Sequence, residues 1–150
     1  MKTVIQLVKK SSVTVEGKVI SEIKKGYLIL LGIEAEDTQE DINWLTGKIA
    51  RLRIFQDEKE AMNLSITDVD GDVIVVSQFT LQAKTKKGNR PSFIKAARPE
   101  IAKPLYEAFI VQLEKEIGKN VQRGMFGAMM EVALINDGPV TILIDSKQRE

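Results

Sequence analysis

The 150 residues of this chain include no histidine and no cysteine. That removes the commonest general base, a thiolate nucleophile, a disulfide framework and the usual ligands of a zinc site. Any chemistry must use carboxylates, hydroxyls, amides, backbone groups or a group on the substrate itself. Two stretches concentrate such groups. The first is "VVSQFTL", Val75 to Leu81, at the end of a strand-like run. If the strand continues through it, Val75, Ser77, Phe79 and Leu81 face one way and Val76, Gln78 and Thr80 the other. Gln78 and Thr80 then offer an amide and a hydroxyl on one face. Thr80 is the obvious nucleophile, but an alcohol without a neighbouring base is poorly activated. The second stretch is "ALINDGPVTILID", Ala133 to Asp145, in which two apolar runs flank Asn136, Asp137, Gly138 and Pro139. Asn-Asp-Gly is ordinary hairpin chemistry, yet the run resumes after a proline that cannot donate to a sheet ladder.

Charge adds a third feature. Net charge is +1, but Gln82 to Pro99 carries Lys84, Lys86, Lys87, Arg90, Lys95 and Arg98 with no acid, leaving the rest of the chain at −5. A short basic loop on a mildly acidic body fits contact with a polyanion; a solvated lysine loop is the plainer alternative.

The elements that must position these groups can be read from hydropathy. The length suits one domain with a sizeable core, and 43% hydrophobic with 29% charged residues is ordinary for a globular protein. The longest apolar run, "YLILLGI" from Tyr27, is strand-sized and far short of a membrane span. The N-terminus has no small-residue cleavage site and reads as a first strand, so a cytoplasmic location is expected. Strands are expected at Lys2 to Val8, Ser12 to Glu16 and Val19 to Ile23, then along "YLILLGIE", which is apolar on both faces and therefore central. A helix follows, capped by Asp37 or Thr38 with Glu40 closing a capping box, and Ile42, Leu45, Ile49 and Leu52 form its buried stripe. Turns at Asp57 to Glu60 and Asp70-Gly71 lead to a strand from Val73 to Leu81. A second helix should start with Pro99 and Pro104 in its approach and first turn, bury Leu105, Phe109 and Leu113, and stop at Gly118. Two strands, Met129 to Ile135 and Val140 to Asp145, close the chain. The expected fold is mixed α/β: a strongly curved, roll- or barrel-like sheet covered by two main helices.

"VVSQFTL" followed by "KGNRPSF", with "NDGPVT" near the C-terminus, resembles the D-aminoacyl-tRNA deacylase family. "VIQLVKKSSVTVEGKV", "LLGIE", "RIF" at Arg53, "MNLS" at Met62 and "FGA" at Phe126 fit the same pattern in order, over essentially the whole of residues 1–150. Met129 departs from it, since many relatives carry a polar residue there, often Asp. The resemblance implies an enzyme without metal or other cofactor that hydrolyses the ester between a D-amino acid and the terminal adenosine of tRNA and spares the L-ester. It implies a homodimer with active sites near the subunit boundary. Ser77, Gln78, Phe79 and Thr80 would form the catalytic motif. Gly138 and Pro139, joined by a cis peptide, would reach into the partner's pocket as a chirality filter. Lys84, Lys86, Lys87 and Arg90 would meet RNA phosphates. The substrate's 2′-hydroxyl would assist the reaction, with backbone N–H groups near Phe79 and Thr80 as an electrostatic cradle. The alternatives are a non-catalytic nucleic-acid-binding module using loop 84–98 and a plain structural dimer.

Overall fold

The computed structural model describes residues 1–150, and its organising element is one long strand. Strand β1 spans Lys2–Val15 without a break, where two separate strands were expected. Its two halves face different cores: Ile5 and Leu7 belong to a larger one, Val8 and Val13 to a smaller one, with Lys9 and Lys10 exposed between them. On one edge the strand serves two neighbours in turn. Its first half pairs antiparallel with β3 (Gly26–Gly32), and its second half with β2 (Lys18–Ile23). Strand β6 (Asp72–Ser77) continues the sheet parallel to β3, and short β7 (Gln122–Arg123) lies parallel to β6. The Ser21 hydroxyl donates to the Arg123 carbonyl, joining β2 to β7. The sheet therefore curls into a nearly closed barrel, as expected.

Period-two alternation gives the sheet two cores. Tyr27, Ile29 and Leu31 of β3 and Val73 and Val75 of β6 join the larger core beneath the helices, while Leu28, Ile74 and Val76 join Val8, Val13 and Ile23 inside the curl. Strand β3 is thus covered on both faces, which explains its unbroken apolar run.

Helix α1 (Gln39–Arg51) buries Ile42, Leu45 and Ile49 completely, with Leu52 partly buried beyond its end. Thr38 is its N-cap, and the Thr38 N–H donates to Asp41 at 2.8 Å. The box partner is Asp41, not Glu40, because the N-cap is Thr38 and the third helical position is Asp41; Glu40 pairs instead with Arg149. Asp37 instead accepts from the Met1 α-ammonium at 2.7 Å and the Glu34 N–H at 2.7 Å. Burial pushes the Asp41 carboxyl up, but donors from Ser146, the Thr38 N–H and Lys147 outweigh it and lower it to about 2. Between α1 and β6, strands β4 (Phe55–Gln56) and β5 (Met62–Leu64) form a small hairpin across the expected Asp57–Glu60 turn.

Helix α2 (Pro99–Ile117) begins with Pro99 at its first turn and ends at Gly118 in the left-handed region. Pro104 lies deeper than expected, inside the helix. The buried stripe is also rotated from the expected one: Tyr106, Phe109, Ile110 and Leu113 are buried, whereas Leu105 is only half-buried. Tyr106 explains the rotation, since its hydroxyl donates to the Val75 carbonyl at 2.7 Å and pins α2 to β6. Burial pushes that hydroxyl up to about 12, so it is a permanent donor.

The chain closes with β8 (Glu131–Asp145), one strand running antiparallel along nearly all of β1. The two closing strands expected, Met129 to Ile135 and Val140 to Asp145, are one continuous strand, and the ordinary hairpin reading of Asn-Asp-Gly does not hold. Asn136 stands opposite Val8 and Thr141 opposite Gln6, so the residues between them bulge out of a ladder that resumes on the same partner. A hairpin would have left half of β1 without a neighbour on that side.

Candidate active site

The expected strand through Val73 to Leu81 ends at Ser77, and Phe79–Gln82 form a 3-10 turn. The proposed alternation of Gln78 and Thr80 on one pleated face is therefore incorrect. The two side chains meet all the same, because the turn brings the Gln78 Nε2 within 2.5 Å of the Thr80 Oγ1, to which it donates. Two features place the turn. The Gln78 N–H donates to the Leu31 carbonyl at 2.8 Å, extending the β3 contact by one residue. Gly32 lies beneath it, and a Cβ there would stand 2.9 Å from the Leu81 Cβ and 3.1 Å from the Gln78 carbonyl oxygen. The first bond inside the turn runs from the Leu81 N–H to the Gln78 carbonyl at 3.2 Å. The N–H groups of Phe79 and Thr80 precede it and are not used by the turn itself.

Beside this turn lies a cavity of about 690 Å³ between the end of β6 and the start of α2. Ser77, Gln78 and Phe79 line one wall, Phe93 and Ala96 to Pro99 another, and Phe126 to Met130 a third. Thr80 is outside the lining and reaches it only through Gln78. The walls are mostly apolar, and Arg98, the N-cap of α2, is the single charged residue among them. No carboxylate lines the space, so neither Ser77 nor Thr80 has a base in it. Phe79 is 57% exposed and packs edge-on against Phe93 with centroids 5.2 Å apart. Met129 is 91% exposed at the rim, so the departure from the family pattern lies at the mouth of the cavity.

The basic loop leaves and returns beside the site. Lys84 and Ser92 exchange backbone hydrogen bonds at 2.8 and 3.0 Å, pinching off the segment that carries Lys86, Lys87 and Arg90. The return is tied to β3 by the Ala97 N–H, which donates to the Ile33 carbonyl at 2.9 Å. All six basic side chains of the loop are exposed, and none has a carboxylate within ion-pair distance.

The Gly138–Pro139 peptide is cis, as expected. Both residues are exposed at the tip of the β8 bulge, and within one chain neither lines the cavity. Gly138 has φ +118°, and a Cβ there would lie 2.8 Å from the Val140 Cγ2. Sequence reasoning missed the aromatic and methionine walls as a cavity, because their segments are far apart in the chain. It also treated Asn136 as turn chemistry, whereas its carboxamide bridges the bulge.

The barrel-like mixed sheet beneath two helices is a fold that recurs in a solved structure. A solved structure described as a probable eukaryotic D-amino acid tRNA deacylase superposes with a TM-score of 0.82, at 17% identity over 95% of this chain and 97% of that one. The chain belongs to the D-Tyr-tRNA(Tyr) deacylase family, whose model matches residues 4–145. It is 65% identical over 150 residues, all of both chains, to the D-aminoacyl-tRNA deacylase of Flavobacterium psychrophilum. It is also similar to a solved structure of the c-Myc DNA Unwinding Element Binding Protein, with a TM-score of 0.91 and 43% identity over 97% of this chain and 98% of that one.

Proposed function

We propose that residues 1–150 act as one D-aminoacyl-tRNA deacylase domain. It hydrolyses the ester of a D-amino acid on the terminal ribose of tRNA and spares the L-ester. Water adds to the ester carbonyl, the bond from that carbon to the ribose oxygen breaks, and the oxygen takes a proton to leave free tRNA and a free D-amino acid. The observation that carries the mechanism is the Gln78–Thr80 contact: the threonine hydroxyl accepts from an amide, and no carboxylate lines the cavity beside it. A group poorly activated as a nucleophile favours assistance from the substrate's vicinal 2′-hydroxyl, with the protein supplying position and donors. The Phe79 and Thr80 N–H groups are suited to the developing oxyanion, and Gln78 to orienting the ester or the adenosine.

On this reading a second copy of the chain completes the site. The exposed bulge tip of one copy brings Gly138 and Pro139 to the other's cavity, where main-chain atoms contact the substrate Cα and crowd an L side chain. Lys84, Lys86, Lys87 and Arg90 hold the acceptor-stem phosphates, common to all tRNAs. The reaction belongs with translation in the cytoplasm and calls for no cofactor.

A second reading, a nucleic-acid-binding module without catalysis, draws on the unpaired basic loop and on the likeness to a DNA-unwinding-element binding protein. Incubation with D-aminoacyl-tRNA separates the two. Release of free D-amino acid above the spontaneous rate supports the deacylase, and retention of an intact ester on bound tRNA supports the module.

A further inference from the structure

Between Val8 and Gln6 strand β1 advances two residues, while β8 advances five, from Asn136 to Thr141. The surplus residues form the bulge, and one side chain spans its neck. The Asn136 Nδ2 donates one hydrogen to the Leu7 carbonyl at 2.9 Å, on the facing strand, and the other to the Val140 carbonyl at 3.0 Å, on the far side of the tip. Both donors of the amide are thus used, and each holds a different side of the loop. The Thr141 Oγ1 lies 3.5 Å from the Asn136 Oδ1 and fixes which way the carboxamide faces. Leu7 and Val140 are buried in the larger core, so both anchor points are rigid. Gly138 is two residues before Val140 in the chain and folds back over it, so that a Cβ there would lie 2.8 Å from the Val140 Cγ2.

We infer that Asn136 is a positioning residue that sets the angle at which the Gly138–Pro139 tip leaves the sheet, and through that angle the preference for D- over L-esters. The inference rests on the reading of that tip as the chirality filter. No other side chain type replaces it easily. Aspartate has the same shape but offers acceptors to two carbonyl oxygens, and glutamine is longer by one carbon than the gap it would bridge.

The test compares Asn136→Ala and Asn136→Asp with the unaltered enzyme on D- and L-aminoacyl-tRNA, with thermal unfolding measured alongside. A tip displaced by about 1 Å costs about a hundredfold in rate. Both variants should lose kcat on the D-ester with little change in KM, and their D-over-L ratio should fall at least about tenfold. Should the alanine variant fail to fold, Asn136→Ser, which keeps a donor, carries the same comparison. Folded variants that are less heat-stable but keep the full D-over-L ratio would overturn the inference and make Asn136 merely structural. If the unaltered enzyme releases no amino acid, the deacylase reading itself fails. If Pro139→Ala also leaves the ratio intact, the filter fails rather than the positioning of it.

Discussion

At the scale of single residues, the Gln78–Thr80 pair decides between two kinds of chemistry. A nucleophilic threonine needs its proton removed, and here its oxygen accepts from an amide at 2.5 Å instead. Thr80→Ala should therefore keep substantial deacylation, well short of the roughly 10⁴-fold loss that removal of a true nucleophile brings. Replacing the substrate's 2′-hydroxyl by hydrogen should cost more than that substitution. An aminoacyl ester trapped on Thr80 would contradict this. Gly138 is a different case, because its requirement is set inside its own loop. With φ +118° and a Cβ 2.8 Å from the Val140 Cγ2, Gly138→Ala should lower stability by about 1–2 kcal/mol as well as impair the reaction, which calorimetry and rate measurements can check together.

At the scale of elements, the local pattern revealed what local physics governs. The apolar stripe of α1 and the doubly covered β3 were legible because burial follows period and face. Three features were not. The continuity of β8 depends on β1 being long enough to pair with both of its halves, which no local window contains. The end of β6 at Ser77 depends on the space above Gly32, on another strand. The rotation of the α2 stripe depends on the Tyr106 bond to Val75. Of the site, the Ser77 to Thr80 motif was legible, while the cavity walls assemble from segments distant in sequence. Tyr106→Phe should cost about 0.5–1.5 kcal/mol, as the Val75 carbonyl loses one of its two donors and keeps the Gly124 N–H at 3.1 Å. Asp41 gives a pH dependence of known sign. Its folded value is lowered from 3.8 to about 2, so the ionised carboxylate, held by Ser146, the Thr38 N–H and Lys147, contributes about 2 kcal/mol above pH 4 that is lost as pH falls through about 2. Asp41→Asn should remove that acid-limb slope in thermal unfolding. For the basic loop, tRNA affinity should fall with salt at a log–log slope of about −0.7 to −0.9 per phosphate contact. Replacing Lys86 and Lys87 together by glutamine should flatten that slope and weaken D- and L-substrates alike; an unchanged slope would mark the loop as plain solvated surface.

At the scale of the molecule, the cavity and the exposed bulge tip lie apart within one chain, and the proposal joins them through a second copy. That arrangement predicts complementation: Gln78→Ala and Gly138→Ala proteins, each impaired alone, should recover activity on mixing and subunit exchange, because one site in a mixed dimer is intact. Discrimination by chirality is read out in a single comparison. The same tRNA is charged with the D- and the L-form of one amino acid, and the first-order rate of ester loss is measured with and without the protein. The D-amino acid should be released rapidly, while the L-ester decays at its spontaneous rate. Equal acceleration of both esters, or of neither, would contradict it.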